Sequence, residues 1–322
     1  MARTIVGVLR GGTSDEYNLS LKTGAAIISA LLEDRYETRD ILVDRNGVWH
    51  ARGIPMEVPR ALAQIDVVIN GMHGGIGEDG TVQRLLEKVG IAYTGSRAHG
   101  SWLSLNKIRA REVLQKAGIR MPRGVAFTLS NGLNTAEMAQ AVFSEFGPPY
   151  IIKPPSEGAS YGIRLAVHLL ELPDAIGDVL DEFGAALIEE YVLGNEASVG
   201  VIEDFRGQEL YVLPPAHVLI PEGERFLSSA AHEDALAQHM CPSNFTQEEK
   251  RAIEDLARRA HRALGLSHFS RADIINTRRG SYLLEINALP GLYAGASFPV
   301  MLEAVGSSTE EFIGHAIALA KH

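Results

Sequence analysis

The chain has 322 residues, of which 46% are hydrophobic and 22% are charged, and its formal net charge is −10. This composition is typical of a soluble globular protein, and the length favours two or three packed units. The acidic balance argues against a nucleic-acid partner, because phosphate backbones require a basic face, although it is compatible with a local basic pocket for a nucleotide. The single cysteine, Cys241, excludes an internal disulfide framework and favours a reducing compartment.

The sequence indicates a cytoplasmic protein that has no membrane partner. No apolar run approaches the roughly 20 residues that a membrane-spanning helix needs. Met1-Ala-Arg-Thr leads directly into a predicted strand, so no signal peptide is visible.

The first part of the chain alternates predicted strands and helices. Strands are predicted at 4–10, 37–43 and 65–70, and a helix at 81–89 ends before Gly90. Such alternation predicts an open, mostly parallel sheet whose ligands collect at the carboxyl ends of the strands. The loops at 11–16 and 73–80 follow two of these strands. Glu16 and His73 are therefore candidate site residues, with ordinary surface positions as the alternative.

The rest of the chain contains three further features of interest. A helix is predicted at 102–118 and contains Lys107, and a strand at 150–153 ends in Lys153. Between 156 and 162 lies a loop of glycine and serine, whose free backbone N–H groups suit an anion. Taken alone, Lys153 could be a solvent-facing strand end and Lys107 part of a solvated helix face. Together with this loop, Lys153 predicts a phosphate site.

Later elements are predicted from apolar runs, weak periodicity and capping residues. Strands are expected at 186–192 and over 197–218, and 220–245 is expected to be a long surface loop. A helix at 246–264 begins with a capping box formed by Thr246 and Glu249. A closing helix is expected at 309–321.

Residues 271–287 predict an antiparallel hairpin. Apolar runs flank a three-residue loop, Arg278-Arg279-Gly280, so that Thr277 pairs with Ser281. Counting outward, Asp273 faces Glu285 and Arg271 faces Asn287. Because side chains alternate along a strand, these four share one face. Tyr282, Leu284 and Ile286 are then expected to point into a core.

The shared face of this hairpin predicts a metal and phosphate site. Two opposed carboxylates repel each other unless a cation lies between them. Asp273, Glu285 and Asn287 offer the hard oxygen ligands that Mg²⁺ takes, and phosphates usually complete its coordination. Arg271, one step along, can hold a developing negative charge. The alternative is the solvated outer face of an ordinary hairpin.

A dinucleotide fingerprint is matched only by letter. Gly75-x-Gly77-x-x-Gly80 follows a predicted strand and opens a helix, but nothing acidic lies between Glu87 and Glu112, where the ribose partner is expected. A Rossmann-type cofactor site is therefore disfavoured.

Taken together, these stretches resemble the ATP-grasp superfamily and, within it, the D-alanine:D-alanine ligases. The motifs follow the family's order over nearly the whole chain: Gly11-Gly12-x-Ser14-x-Glu16, Ser20-Leu21-Lys22-x-Gly24, His73-Gly-x-x-Gly-Glu78-Asp79-Gly80, Tyr93-Thr-Gly95-Ser96, Lys107, Lys153-Pro, Glu157-Gly158-x-Ser160-x-Gly162, Arg271-x-Asp273 and Glu285-x-Asn287-x-x-Pro290-Gly291.

The resemblance implies an α/β ATP-grasp fold with three domains. An N-terminal open α/β sheet domain (1–96) would bind substrate. Two α+β domains would clamp ATP between them: a central one with the glycine loop (97–187) and a C-terminal one with the metal site (188–322). Family analogy also favours a homodimer.

The resemblance also implies roles for individual residues. Lys107 and Lys153 would contact ATP phosphates, together with the glycine-loop residues Glu157, Gly158 and Ser160, of which Ser160 also belongs to the catalytic set. Glu189, Glu190 and Val192 would hold adenine, and Glu196 the ribose. Asp273, Glu285 and Asn287 would bind two Mg²⁺ ions, with Mn²⁺ as an alternative. Glu16 would hold the amino group of the first D-alanine, and His73 would lie near that substrate. Arg271 and the Gly291 N–H would stabilise the tetrahedral intermediate.

Three positions depart from the family's pattern. The stretch 225–240 has neither the Tyr nor the Lys of the family's mobile loop, and Arg225 and His232 are its candidate replacement cations. Ala159 stands where a serine usually follows Glu-Gly. Ala296 and Ser297 replace the Ser-Leu pair that precedes the proline at 299. A ligase joining a different pair of amino or hydroxy acids, and a nucleotide-binding homologue that no longer catalyses, are therefore the alternatives to a D-alanine:D-alanine ligase.

Overall fold

A computed structural model describes residues 3–220 and 238–321. Its helices, numbered within this described part of the chain, are α1 (Tyr17–Ala30), α2 (Val58–Ala61), α3 (Gly75–Glu78), α4 (Thr81–Val89), α5 (Ala98–Leu105), α6 (Lys107–Lys116), α7 (Thr135–Glu145), α8 (Leu172–Phe183), α9 (Gln247–Ala263), α10 (Ser297–Ala304) and α11 (Thr309–Ala320). Its strands are β1 (Thr4–Gly11), β2 (Tyr36–Val43), β3 (Trp49–Ala51), β4 (Ile54–Pro55), β5 (Val67–Asn70), β6 (Ala92–Tyr93), β7 (Gly124–Thr128), β8 (Tyr150–Lys153), β9 (Arg164–Ala166), β10 (Ala185–Glu190), β11 (Asn195–Phe205), β12 (Gln208–Val212), β13 (Ala216–Leu219), β14 (Gln238–Met240), β15 (Phe269–Thr277) and β16 (Gly280–Asn287).

Within the described residues the strands form three sheets. The first has the order β4-β3-β2-β1-β5-β6, the second β7-β10-β8-β9, and the third β14-β13-β11-β15-β16 with β12 paired to β11. In the first sheet β2, β1, β5 and β6 run parallel, as the strand–helix alternation predicts. The second and third sheets pair antiparallel throughout. The mixed α/β class expected from the sequence is confirmed.

The parallel arrangement brings two predicted loops together at one edge of the first sheet. The loop after β1 and the loop after β5 touch, because Ser14 Oγ donates to the His73 carbonyl at 2.6 Å. The second loop is not wholly irregular, since it contains the short helix α3. Glu16 and His73 therefore lie at the carboxyl ends of the strands, where the sequence placed them.

The core of the first sheet is completed by residues from the far end of the chain. Val6, Val8 and Ile27 are buried in one cluster with Phe298 and Phe312. Helices α1 and α11 pack against each other in this cluster. The first and third sheets thus share one hydrophobic core. Among the described helices, none is long and apolar enough to cross a membrane.

Candidate active site

A cavity of about 570 Å³ lies between the second and third sheets. Its volume falls in the range of small-molecule binding sites. One part of its wall is apolar, with Ile151, Val192, Ile275 and Leu284. The charged residues of its wall include Lys107, Lys153, Glu157, Glu189, Glu190, Glu196, Arg271, Asp273 and Glu285. An apolar slot beside fixed charges suits a ligand with a flat ring at one end and phosphates at the other.

The glycine loop 156–162 covers this cavity. Ala159 and Ser160 both have left-handed backbone conformations, with φ of 44° and 58°. Such values are uncommon for residues with a Cβ, and they cluster at ligand-binding loops. Ser160 and Glu157 line the large cavity, whereas Gly158 lines a smaller one beside it.

Lys107 reaches the site because the helix predicted at 102–118 is in fact broken. Asn106 has an extended conformation, ends α5, and caps α6 by accepting a hydrogen bond from the Arg109 N–H. The prediction of one continuous helix was wrong because Asn106 competes for backbone hydrogen bonds as an N-cap. The break leaves Lys107 at the first position of α6, with its Nζ 3.3 Å from Glu285 Oε2.

Lys153 and Glu189 form a buried ion pair in the cavity wall. Lys153 Nζ lies 2.7 Å from Glu189 Oε2, and neither side chain is exposed beyond a tenth. Burial alone would lower the pKa of Lys153, but Glu189 raises it above the ordinary value, so the ammonium stays charged. The alternative of a solvent-facing strand end was wrong.

Arg111 also binds Glu189, and the sequence reasoning missed it. Arg111 Nη1 donates to Glu189 Oε1 at 2.7 Å. Arg111 is one helical turn beyond Lys107, and this i, i+4 spacing of two cations on α6 was the available signal.

Two of the four residues expected around the nucleoside have side chains that are free to face the cavity. Val192 lines it, and so does Glu196. The Glu190 carboxylate accepts hydrogen bonds from Arg123 N and Nε, both at 2.8 Å. Glu189 is held by its two cations. For Glu189 and Glu190 the structure therefore shows carboxylates that are already paired.

The hairpin aligns the four polar residues as predicted, but by a different route. Asp273 pairs with Glu285 and Arg271 pairs with Asn287. The turn, however, is one residue shorter than predicted, because Thr277 pairs with Gly280. A β-bulge next to Asp273 restores the register.

This bulge changes which residues of β16 enter the core. Leu283 and Ile286 are buried, whereas Leu284 lines the large cavity. Tyr282 lies under the Arg120 guanidinium, 4.0 Å from its ring centre. The expectation that Tyr282, Leu284 and Ile286 all point into the core was thus wrong for the first two, since the extra residue reverses the alternation.

Asp273 is held by three polar neighbours. Arg271 Nη2 lies 2.7 Å from Asp273 Oδ2, and Ser198 Oγ donates to Oδ1 at 3.0 Å. Asn287 Nδ2 donates to Oδ2 at 3.2 Å. Burial alone would lower the pKa of Arg271, but Asp273 raises it above the ordinary value, so the guanidinium stays charged.

The donor set of this face fits a divalent cation. Burial alone would raise the pKa of Glu285, but Lys107, Lys153 and Arg271 lower it to about 2, so it is ionised. Burial, and to a smaller extent the negative charges of Asp273 and Glu285, raise the pKa of the nearby Glu196 to about 7. In residues 3–220 and 238–321 no three His, Cys, Asp or Glu side chains converge as metal ligands. The expected set has only two carboxylates and one amide, and leaves the remaining positions to phosphate oxygens.

A second cavity, of about 60 Å³, adjoins the large one. Glu16, His73 and Gly291 line it, and Lys107, Glu157, Arg271, Glu285 and Tyr293 line both cavities. The catalytic candidates predicted from loops that are distant in sequence are thus brought together. Arg271 lines both cavities, and Ser160 lines only the larger one.

The small cavity places Glu16 beside a second buried carboxylate. Burial and Glu78 raise the pKa of Glu16 to about 7, while His73 and Lys107 oppose this shift. His73 is fixed by Thr23, whose Oγ1 lies 2.7 Å from Nε2, and its Nδ1 is 3.7 Å from Glu78 Oε1. A carboxyl held in this way gains most from a ligand that brings a positive charge.

The structure describes some of the positions that depart from the family pattern but not others. Arg225 and His232, the candidate replacements for the family's lysine, lie outside the described residues. Ser297 Oγ is 2.9 Å from Ser198 Oγ, so it is linked through Ser198 to Asp273. Ser297 and Ala296 both line the large cavity.

Comparisons with known proteins agree with this architecture. A family model described as D-ala D-ala ligase C-terminus matches residues 113–318, and one described as D-ala D-ala ligase N-terminus matches residues 50–96. The D-alanine--D-alanine ligase of Desulforudis audaxviator is 33% identical over 319 residues, covering 98% of each chain.

Two solved structures are similar over nearly the full length. The VanG D-Ala:D-Ser ligase from Enterococcus faecalis has a TM-score of 0.85 at 25% identity, covering 99% of this chain and 100% of that one. The D-alanyl-alanine synthetase A from Vibrio cholerae has the same TM-score and identity, covering 100% of both chains.

The fold, the cleft and these relatives define an ATP-dependent, ADP-forming carboxylate–amine ligase of the ATP-grasp class. Within that class, the chain belongs to the D-alanine--D-alanine ligase family.

Proposed function

We propose that the protein joins two D-alanine molecules through an acyl phosphate, consuming ATP, to supply a cytoplasmic precursor of peptidoglycan. The observation that carries this proposal is the contact between the two cavities, which share Lys107, Arg271 and Glu285. A nucleotide in the large cavity and an amino acid in the small one would meet at these residues. The family's homodimer is part of this proposal.

The large cavity would hold ATP with its adenine on the apolar wall. Val192 and Leu284 supply that wall. The backbone near Glu190 would supply polar contacts, and so would the Glu189 carboxylate in addition to its pairs with Arg111 and Lys153. Glu196 would accept from the ribose hydroxyls. The Lys107 and Lys153 ammonium groups would bind phosphate oxygens as point charges.

The glycine loop would close over the triphosphate and exclude water. Glu157, Gly158 and Ser160 contribute its backbone. The left-handed conformations of Ala159 and Ser160 would let successive N–H groups of the loop face an anion. Exclusion of water protects a reactive acyl phosphate from hydrolysis.

Asp273, Glu285 and Asn287 would hold Mg²⁺, two ions in the family's pattern and with Mn²⁺ as the substitute. Bound there, the metal would neutralise phosphate charge and orient the γ-phosphate. The pairing of Asp273 with Glu285 across the hairpin supports this assignment, because an added cation relieves the repulsion between two opposed carboxylates.

The reaction itself needs no nucleophile from the protein. The Glu16 carboxylate would pair with the ammonium of the first D-alanine, beside His73. The carboxylate of the first D-alanine would attack the γ-phosphate of ATP, giving an acyl phosphate and ADP. The amine of the second D-alanine would then attack the acyl carbon and displace phosphate. The Arg271 guanidinium and the Gly291 N–H would stabilise the oxyanion that forms in between.

Removal of the two carboxylates tests this assignment. In Asp273→Ala and Glu285→Ala variants, ADP formation with D-alanine should fall by at least about 10²-fold, as for loss of one catalytic charge. Asp255→Ala, on the exposed side of α9, is the matched control and should turn over normally. Chelation of Mg²⁺ should stop the wild type, and Mn²⁺ should restore part of the rate. Unchanged ADP formation in either site variant would contradict the mechanism.

A different second substrate is favoured by one observation. Ala296 and Ser297 replace the family's Ser-Leu pair, and the Ser297 hydroxyl lies in the cavity wall within the Ser198–Asp273 network. A polar wall suits an acceptor with a hydroxyl group. Mass analysis of products from D-alanine competed against D-serine and D-lactate would decide. A mixed product in excess of D-Ala-D-Ala would move the assignment to this second pair.

A further inference from the structure

Arg111 is a buried cation that the proposed mechanism does not use. Its residue exposure is 6%, and its side chain lies behind the wall of the large cavity. Nη1 donates to Glu189 Oε1 at 2.7 Å, and Nη2 donates to the Pro122 carbonyl. Burying an arginine is costly unless its donors are satisfied, so the guanidinium is fixed by both partners.

Glu189 is the link between Arg111 and the cavity. Its Oε1 accepts from Arg111 and its Oε2 binds Lys153 Nζ, also at 2.7 Å. The Glu189 side chain is only 3% exposed. Without Arg111 one buried carboxylate oxygen would lose its partner, and the carboxylate would rotate towards Lys153 to recover it. Such a rotation would move the Lys153 ammonium.

The backbone of β7 is built around this contact. A Cβ at Gly124 would lie 3.1 Å from Arg111 Cζ and 3.1 Å from Glu189 Cγ. Glycine at this position therefore lets the strand pass close to both side chains. Any larger residue would press on the ion pair.

We propose that Arg111 is a positioning residue for the nucleotide: it anchors Glu189, and Glu189 in turn holds the Lys153 ammonium at a fixed place in the cavity wall. The proposal rests on the proposed function only in taking the nucleotide to be ATP. Arg111 itself touches no substrate. Its loss should weaken nucleotide binding and leave the amino-acid site, built around Glu16, unchanged.

Calorimetric titration of the full chain with ATP and Mg²⁺ tests this role. Arg111→Met should raise the Kd for ATP at least tenfold, and Arg111→Lys should recover part of the affinity. Arg109→Met is the matched control, since Arg109 lies on the same helix, its side chain is 57% exposed, and its guanidinium pairs with Glu112 on the surface. Its Kd should stay within twofold of the wild type.

A double variant shows whether Arg111 acts through Glu189. If it does, Arg111→Met combined with Glu189→Gln should bind ATP no more weakly than Glu189→Gln alone, because coupled residues are not additive. In turnover assays, the KM for ATP should rise in Arg111→Met while the KM for D-alanine stays constant.

Two results would overturn the inference. One is an unchanged Kd for ATP in Arg111→Met together with a lower melting temperature, which would make the residue merely structural. The other is full additivity in the double variant. If Arg111→Met does not fold, an unchanged Kd for ATP in Glu189→Gln would overturn it equally, because Glu189 is the link between Arg111 and Lys153. Because the readout is binding, a wild type that binds ATP without joining D-alanine would contradict the proposed function alone.

Discussion

Three carboxylates on the nucleotide side of the site are each paired with a cation. Glu189 has Arg111 and Lys153, Glu285 has Lys107, and Asp273 has Arg271. Glu16, on the amino-acid side, instead shares a small cavity with Glu78, and its pKa is raised by burial and by the charge of Glu78. The two sides therefore suit different ligands. The nucleotide side suits an anion bound together with a metal ion, and the amino-acid side suits an ammonium group.

Glu16 should make D-alanine binding depend on pH. Its carboxyl is protonated in the free enzyme below about pH 7 and must be ionised to pair with an ammonium. Affinity for the first D-alanine should therefore improve as pH rises from 6 to 8. Glu16→Gln should remove this dependence and raise the KM for D-alanine about 10- to 100-fold, the cost of a hydrogen bond to a charged group.

The same variant should be more stable than the wild type at high pH. The pKa of Glu16 in the folded state lies above the ordinary value of 4.5. The folded protein therefore becomes less stable as pH rises from about 4.5 to 7, because Glu16 ionises more readily in the unfolded chain. Glu16→Gln should gain at least about 1 kcal/mol of unfolding free energy at pH 8 and nothing at pH 4. Asp15→Asn, the exposed neighbour, is the control. Equal melting curves for Glu16→Gln and wild type at pH 8 would contradict the argument.

At this scale, sequence reasoning succeeded where a local rule applied. Period-two alternation aligned Asp273 with Glu285 and Arg271 with Asn287. No local rule reveals that Arg111 binds Glu189, because the two are 78 positions apart and meet only after folding. The carboxylate of Glu190 was similarly assigned without knowing that Arg123 binds it.

At the scale of elements, the site depends on interruptions of regular structure. Asn106 separates α5 from α6, the β-bulge turns Leu284 into the large cavity, and left-handed residues shape the glycine loop. Helices and strands with clear periodicity were predicted well, such as α4 and the capped helix α9. The interruptions were not predicted. Each depends on one residue whose own backbone preference is weak, so that its conformation is determined by the residues packed around it.

Removal of the Asn106 cap should affect both stability and the nucleotide. Asn106→Ala should cost about 1 kcal/mol of unfolding free energy, the usual value of an N-cap. It should also raise the KM for ATP, because α5 and α6 can then merge and turn Lys107 away from Glu285. Asn134→Ala removes the N-cap of α7, far from the cavity, and should cost similar stability without any change in KM. Identical KM values in the two variants would show that the break does not position Lys107.

At the scale of the whole molecule, one carboxylate lies at the junction of the first and third sheets. Glu203 accepts from the His268 N–H at 2.6 Å and lies 3.4 Å from His261 Nε2. His268 Nδ1 in turn accepts from the Gly95 N–H, just after the first sheet. Burial alone would raise the pKa of Glu203, but the contacts with His261 and the His268 backbone lower it below the ordinary value.

Glu203 should therefore contribute stability that disappears in acid. A lowered folded-state pKa stabilises the protein above the ordinary pKa of 4.5, and this contribution is lost as pH falls through the folded value. Glu203→Gln should lose about 1 kcal/mol at pH 7 and progressively less below pH 4.5. Glu209→Gln, whose side chain is 81% exposed, should melt like the wild type. A pH-independent difference between Glu203→Gln and wild type would refute the electrostatic origin.

The shared core has a consequence for how the polypeptide is made. Val6, Val8 and Ile27 are translated first, but the aromatic side chains that cover them, Phe298 and Phe312, come very late. Until the residues between them have been translated, one side of the first sheet lacks the apolar side chains that pack on it in the folded protein. A nascent chain of this kind presents a binding surface for chaperones, and interruption of translation before α11 would leave that surface exposed.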